Sequence, residues 1–203
     1  MITLINYGLG NIQAFINIYK NLNIPVSVAC NSDDLKKAEK IILPGVGAFD
    51  WAMTLLNKSG MRECLDEMVI RKKIHILGIC VGMQMMANKS EEGNLEGLGW
   101  IDGNIKIFNS SENDIKVQIP HIGWNDVKPV VSGDLFNGLT DPQYYFLHSY
   151  YFIPGNPADV LAETVYHHKF ASAVRSGNVY GVQFHPEKSH QSGIQLLKNF
   201  AVL

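Results

Sequence analysis

Disulfide chemistry has little material here: 203 residues contain three cysteines, Cys30, Cys64 and Cys80, an odd set without paired spacing. That argues against a cystine framework and fits a reducing compartment, the cytoplasm. Charge is sparse, at 18% Asp, Glu, Lys and Arg and a formal net charge of -2. The basic residues are scattered among acidic ones, so the chain offers no broad cationic surface for nucleic acid or anionic lipid. Long apolar runs are missing. The longest stretch, Ile74 to Ala87, is broken by a histidine, two glycines and a glutamine, and it falls short of the roughly 20 residues that span a bilayer. No cationic segment precedes the first apolar residues, the first lysine being Lys20, so no secretory leader is expected. Metal signatures are lacking too: His167, His168, His185 and His190 come without a cysteine pair or a His-Glu-x-x-His spacing, and no metal site is expected.

Hydrophobic residues nevertheless make up 46% of the chain, enough for one substantial core, and nothing in the length asks for a second domain. The first half alternates short β-branched runs with helical patterns: Ile2 to Asn6, Ile12 to Leu22, Val26 to Ala29, Lys40 to Leu43. That order predicts βαβ units on a parallel sheet. Met61, Leu65, Met68 and Val69 recur at helical spacing with Cys64 on the same side, which makes Cys64 a packing residue. Ile74 to Cys80 reads as a fully buried strand, and Val81 to Asn88 as helical, so a sharp strand-to-helix turn falls at Cys80. Beyond Gly99 the texture changes to short strands separated by polar turns, including the loop Asn109 to Asp114 and the turn Pro154 to Pro157, and mixed or antiparallel strands are expected there. Ile194, Leu197 and Phe200 share one face of a closing helix over Ser192 to Phe200.

Chemistry concentrates in three strand exits. Gly78-Ile79-Cys80-Val81-Gly82-Met83-Gln84 places a nucleophile between glycines at the end of a buried strand, as in a nucleophile elbow. Gly78 and Gly82 allow backbones to crowd without Cβ clashes, and the turn pushes the Cys80 sulfur out of the sheet edge. The amino end of the next helix favours a thiolate and offers N–H groups to an oxyanion. The plain alternative is a tight turn around a small buried cysteine. Gly181-Val182-Gln183-Phe184-His185-Pro186-Glu187 supplies a base and its orienting carboxylate: His185 takes the thiol proton and Glu187 fixes the imidazole's tautomer. On its own, His185 reads as a surface histidine stiffened by Pro186. Pairing with the elbow reverses that. In Ile42-Leu43-Pro44-Gly45-Val46-Gly47, two glycines bracket an amide able to turn toward an oxyanion, although taken by itself the segment reads first as an ordinary strand-to-helix loop. Tyr7-Gly8-Leu9-Gly10-Asn11 lacks the third glycine and the acidic residue of a dinucleotide fingerprint, which speaks against a nucleotide there.

Together, the Cys80 elbow, Pro44 to Gly47 and Phe184 to Glu187 resemble, in order and separation, the class I (triad) glutamine amidotransferases. More narrowly, Pro120-His121-Ile122-Gly123-Trp124-Asn125, Leu147-His148-Ser149-Tyr150, Phe184 to Ser189 and Tyr7 to Asn11 resemble the glutaminase subunits of imidazole glycerol phosphate synthase, and the likeness covers nearly the whole chain. The resemblance implies an α/β fold over residues 1–203, flavodoxin-like and doubly wound, mainly parallel with added antiparallel strands in the second half. It implies that Cys80, His185 and Glu187 are catalytic. An oxyanion would be held by the Val81 amide and one from the Val46 to Gly47 segment, and the charged end of glutamine by Gln84 and Glu92 with Ser149 and Tyr150. No cofactor is called for. Because free ammonia is protonated in water, the product must be handed over directly. The implied partner is a (β/α)8-barrel cyclase, in a heterodimer that makes imidazole glycerol phosphate and an aminoimidazole carboxamide ribotide in histidine biosynthesis. Asn11, Trp124, Asn125 and Lys188 match positions at or near that interface; as plain sequence they read as exposed loops, or Trp124 as a core anchor.

Val81 to Asn88, Gly99 to Gly103 and Lys188 to Gln191 look closer to a paralogous branch found with surface-polysaccharide genes, which implies amidination of a sugar as the alternative use of the ammonia. Two other classes compete: a non-catalytic regulatory subunit, which predicts a missing triad member where none is missing, and a Cys-His hydrolase, which leaves Gln84, Glu92 and Pro120 to Asn125 without a task.

Overall fold

A computed structural model describes residues 1–108, 118–131 and 133–203. Strands β1 (Ile2–Ile5), β2 (Val26–Ala29), β3 (Lys40–Gly45) and β4 (His75–Cys80) alternate with helices α1 (Ile12–Asn21), α2 (Ser32–Leu35), α3 (Phe49–Lys58) and α4 (Arg62–Asp66), and α4 runs into a π-helical turn, Glu67–Arg71. A four-residue helix, α5 (Val81–Gln84), follows β4 directly. Then come β5 (Lys89–Ser90), β6 (Gly103–Ile107), β7 (His121–Asp126), β8 (Lys128–Pro129), β9 (Gln143–His148), β10 (Tyr150–Pro154), β11 (Val160–Tyr166), β12 (His168–Ser176), β13 (Val179–Val182) and α6 (His190–Val202). The expected loop Asn109 to Asp114 lies outside the described residues.

The expected doubly wound sheet is present. Strands β2-β1-β3-β4-β13 run parallel in that order, and the path continues through β12, β10, β6 and β5 with antiparallel pairing from β13 to β6. Ile41, Ile42, Leu43, Ile76 and Leu77 are fully buried. Strands covered on both faces need such unbroken apolar runs. On the flanks, α1 buries Phe15 and Tyr19, its first turn is capped by the Asn11 side chain, and the Tyr19 hydroxyl donates to Leu197 O of α6 at 3.1 Å. The last strand, β13, inserts beside β4 with Val182 opposite Ile79, while β3 brings Gly45 opposite Cys80. Three strand exits distant in sequence therefore end level on one edge.

Two elements depart from expectation. β3 continues past Leu43 through Pro44 and Gly45; proline is tolerated at a strand end, where a missing donor costs little, and the Tyr7 hydroxyl donates to Pro44 O at 2.7 Å. The helix expected over Val81 to Asn88 stops at Gln84. Its continuation is overruled by tertiary bonding: the carbonyls of Met85, Met86 and Ala87 accept from Leu98, Trp100, Ile101 and Gly99, so the segment 97–101 caps the chain there.

A separate two-stranded sheet, β7 with β9, lies over the carboxyl edge of β13 and is tied to it by His185 N donating to Tyr145 O at 2.9 Å. Among the described residues no helix is long and apolar enough to cross a membrane.

Candidate active site

Cys80 sits at φ 55° and ψ -114°. A side chain at positive φ costs roughly 1–3 kcal/mol and persists only where its surroundings impose it. Here glycine packing imposes it. A Cβ on Gly82 would lie on the Leu43 carbonyl oxygen, one on Gly45 would strike Gly82 N, and one on Gly78 would come within 2.7 Å of Gly82 O. The ends of β3 and β4 and the start of α5 thus touch backbone to backbone. Gly82→Ala is expected to destabilise the fold by about 3 kcal/mol or more, since neither backbone can yield; an unchanged urea midpoint would contradict this packing. With one turn, α5 sums few peptide dipoles, so its main offering to Cys80 is the Val81 N–H rather than a helix field.

His185 follows β13 and is buried, with Pro186 opening a 3-10 turn, Pro186–Lys188, that folds Glu187 back beneath it. His185 Nδ1 lies 2.9 Å from Glu187 Oε1, with both side chains about 5% exposed. The Ser189 hydroxyl donates to His185 O at 2.6 Å and accepts from Tyr145 N at 3.0 Å, which locks the turn against β9. Burial disfavours the charged imidazole, but hydrogen bonds to Cys80 and Glu187 and the attraction of both groups outweigh it and raise His185 to about 10. Cys80 and His185 line one cleft, with the Glu187 carboxylate bonded to the far nitrogen of the ring. A raised histidine couples folding to pH: its stabilisation is whole below 6.5, declines above that, and is gone past about 10. Melting temperatures of the wild type and His185→Phe, well separated at pH 6, should converge as the pH approaches 10; a constant gap would show that this imidazolium does not support the fold.

Around these residues lies a cleft of about 340 Å3, lined by Val46, Gly47, Val81, Gln84, Glu92, Ser149 and Tyr150 together with Cys80 and His185. Lys188 stands at its wall with its ammonium 5.7 Å from the Tyr145 ring. Gln84 Nε2 donates to Tyr150 O and to Gln183 Oε1, each at 3.1 Å, so its two donors are consumed and an acceptor remains. Glu92 Oε2 accepts from Phe49 N at 2.9 Å, capping α3 where Ala48 has no side chain to do so. Burial pushes the Glu92 carboxyl up, partly offset by that bond.

Asn11, Trp124 and Asn125 lie outside the cleft. Asn11 is exposed and caps α1. Trp124 is no core anchor: it is 47% exposed and stacks on His190 at 5.1 Å. Asn125 bonds inward to His121 and Val165 O. Cys64 is half-buried, with its sulfur 3.7 Å from Ser32 O, in keeping with packing.

Sequence reasoning passed over Gln183. It is fully buried, and besides accepting from Gln84 it reaches Cys80 Sγ from 3.8 Å. The available signal was a lone amide inside an apolar strand run, which needs a buried partner. His121 and His148 are also buried and hydrogen-bonded to each other.

The doubly wound sheet agrees with the comparisons. The family model for glutamine amidotransferase class-I matches residues 3–203, and the chain belongs to that family, the class of amide-nitrogen-transferring enzymes. Within it, the chain falls among the imidazole glycerol phosphate synthase subunits called HisH: it is 58% identical to that of Bdellovibrio bacteriovorus over 99% of both chains, and 48% identical to that of Leptospira borgpetersenii over 100% of both. Solved structures share the fold. A glutamine amidotransferase superposes with a TM-score of 0.74 at 18% identity, covering 100% of this chain and 99% of that one. PurLQS from Thermotoga maritima gives 0.72 at 18%, covering 98% and 96%.

Proposed function

We propose that Cys80 is the nucleophile of a glutaminase that works as one subunit of a synthase. The observation that carries this is that the Cys80 elbow and His185, itself bonded to Glu187, line one cleft. Cys80 Sγ attacks the side-chain carbonyl of glutamine, and the oxyanion is met by the Val81 N–H and one from Val46 or Gly47. His185 gives its proton to the departing ammonia. Water, deprotonated by His185, then hydrolyses the thioester and releases glutamate. Gln84, left with its carbonyl, and Glu92, with one oxygen unspent on Phe49 N, are acceptors suited to the α-ammonium of glutamine. Ser149 and Tyr150 complete the hold.

The proposal extends to a cytoplasmic (β/α)8-barrel cyclase as partner, with the ammonia spent on imidazole glycerol phosphate. Its docking face is the outer side of β7 and β9, where the register sets Ile122 opposite Leu147 and Trp124 opposite Tyr145. Ile122 is 58% exposed and Leu147 41%, an apolar surface beside the cleft mouth. Lys188 borders it through the Tyr145 ring, and Asn11 is assigned to the same partner contact.

The test is glutamate release by the chain alone, with the cyclase partner, and with partner plus acceptor. A slow rate that climbs strongly on assembly supports the reading, as does covalent capture of Cys80 by an electrophilic glutamine analogue. A rate indifferent to the partner would overturn it. Activation only by a sugar-amidating partner would move the acceptor to the polysaccharide branch and leave the glutaminase intact.

A further inference from the structure

Four polar groups running from the cleft wall, which His148 and Tyr150 help to line, out to Asn125 fix one another's protons. Asn125 Nδ2 donates to Val165 O at 3.0 Å, and its Oδ1 accepts from Asp126 N at 2.8 Å. A carbonyl only accepts and an N–H only donates, so the amide has one orientation. Its nitrogen then faces His121 Nε2 at 3.1 Å, and that ring atom must be the acceptor. The proton of a neutral His121 therefore sits on Nδ1, which lies 3.0 Å from His148 Nε2. His148 Nε2 accepts it, and His148 Nδ1 carries the proton that reaches Tyr150 O at 2.8 Å. Two backbone carbonyls and one backbone N–H thus set both tautomers, and each ring is held in the Nδ1–H form.

Burial holds both imidazoles neutral, lowering His121 to about 4 and His148 to about 3. The Tyr150 carbonyl at the inner end also accepts from Gln84, whose second donor goes to Gln183, and Gln183 reaches Cys80. The mechanism above uses neither histidine, and a buried pair so fully specified is costly unless it holds something in place.

We infer that His121 and His148 are positioning residues: a directional relay, anchored outside by Asn125, that fixes the Tyr150 carbonyl and through it the acceptor of Gln84 that meets glutamine. The inference rests on the glutaminase reading for its consequence but not for its geometry.

Phenylalanine preserves the packing at both positions. His121 stacks on Phe146 at 4.7 Å and Tyr166 at 4.0 Å, and His148 lies among Phe108, Phe146 and Phe170 at 5.4 to 5.6 Å. In the assembled synthase, His148→Phe is expected to raise KM for glutamine about tenfold, one neutral hydrogen bond's worth, and to leave kcat within about twofold. His121→Phe raises it less. Because the bonds act in series, the double variant costs no more than His148→Phe alone, whereas a product of the two single effects would make them independent packing residues and overturn the relay. Long-range proton–nitrogen spectra of histidine-labelled wild type give a second reading without turnover: both rings should carry Nδ1–H, and an Nε2–H tautomer at either overturns the inference. If the wild-type complex turned over no glutamine, the glutaminase reading would fall while the tautomer result stood.

Discussion

In Cys80→Ala, glutamate release by the assembled complex is expected to fall by about 10^4-fold or more, the scale of losing a nucleophile whose partners act as a unit. Alanine keeps the backbone requirement of the elbow: φ at residue 80 stays near 55° because the glycine contacts of Gly45, Gly78 and Gly82 impose it. The fold should therefore persist, with a melting temperature lowered only by the share of the His185 stabilisation that Cys80 supplies, and the chemistry disappear. The cleft keeps Gln84, Glu92, Ser149 and Tyr150, the residues proposed to hold glutamine, so binding is expected to survive. Loss of turnover with retained binding separates a missing nucleophile from a missing structure. Undiminished release in this variant would remove Cys80 from the reaction and the proposal with it.

The parts of the site legible in the sequence were those whose chemistry leaves a local mark. Gly78, Cys80 and Gly82 announce an elbow because only small residues permit the backbone approach seen between Gly82 and Leu43. His185 and Glu187 sit two residues apart across a proline, so one 3-10 turn joins them. The parallel half was legible from unbroken apolar runs such as Ile41 to Leu43. Length of α5 was not, because its end is decided by bonds to segment 97–101, which no periodicity of Val81 to Asn88 encodes. Nor was the task of Gln183 or His148, since each is defined by a partner 99 or 27 positions distant in the chain. Local pattern marks where a backbone must bend; it does not mark which polar atoms meet after folding.

Glu187→Gln is expected to lower kcat by about 10^2- to 10^4-fold while leaving the overall fold in place, comparable to neutralising the orienting acid of other triads. The carboxylate does two things here. It accepts from His185 Nδ1 at 2.9 Å, and its charge helps raise the imidazole. Glutamine meets the first need only if its carbonyl faces the ring. Its NH2 must then occupy the place of Glu187 Oε2, a buried atom without a hydrogen-bond partner among the described residues. Two unsatisfied donors there cost about 1–3 kcal/mol each. The opposite orientation turns NH2 toward Nδ1 and makes that nitrogen an acceptor, which forces the proton onto Nε2, the atom that must receive one from Cys80. Both outcomes damage the reaction. The variant's His185 titration should also move down toward the ordinary histidine range, because one of the two partners that raise it has lost its charge. Glu187→Asp keeps the charge and withdraws it by one methylene, so it should lose rate with a smaller downward shift. A Glu187→Gln enzyme with wild-type kcat and an unmoved His185 titration would reduce Glu187 to a packing residue and leave His185 oriented by its backbone bonds to Tyr145, Lys188 and Ser189.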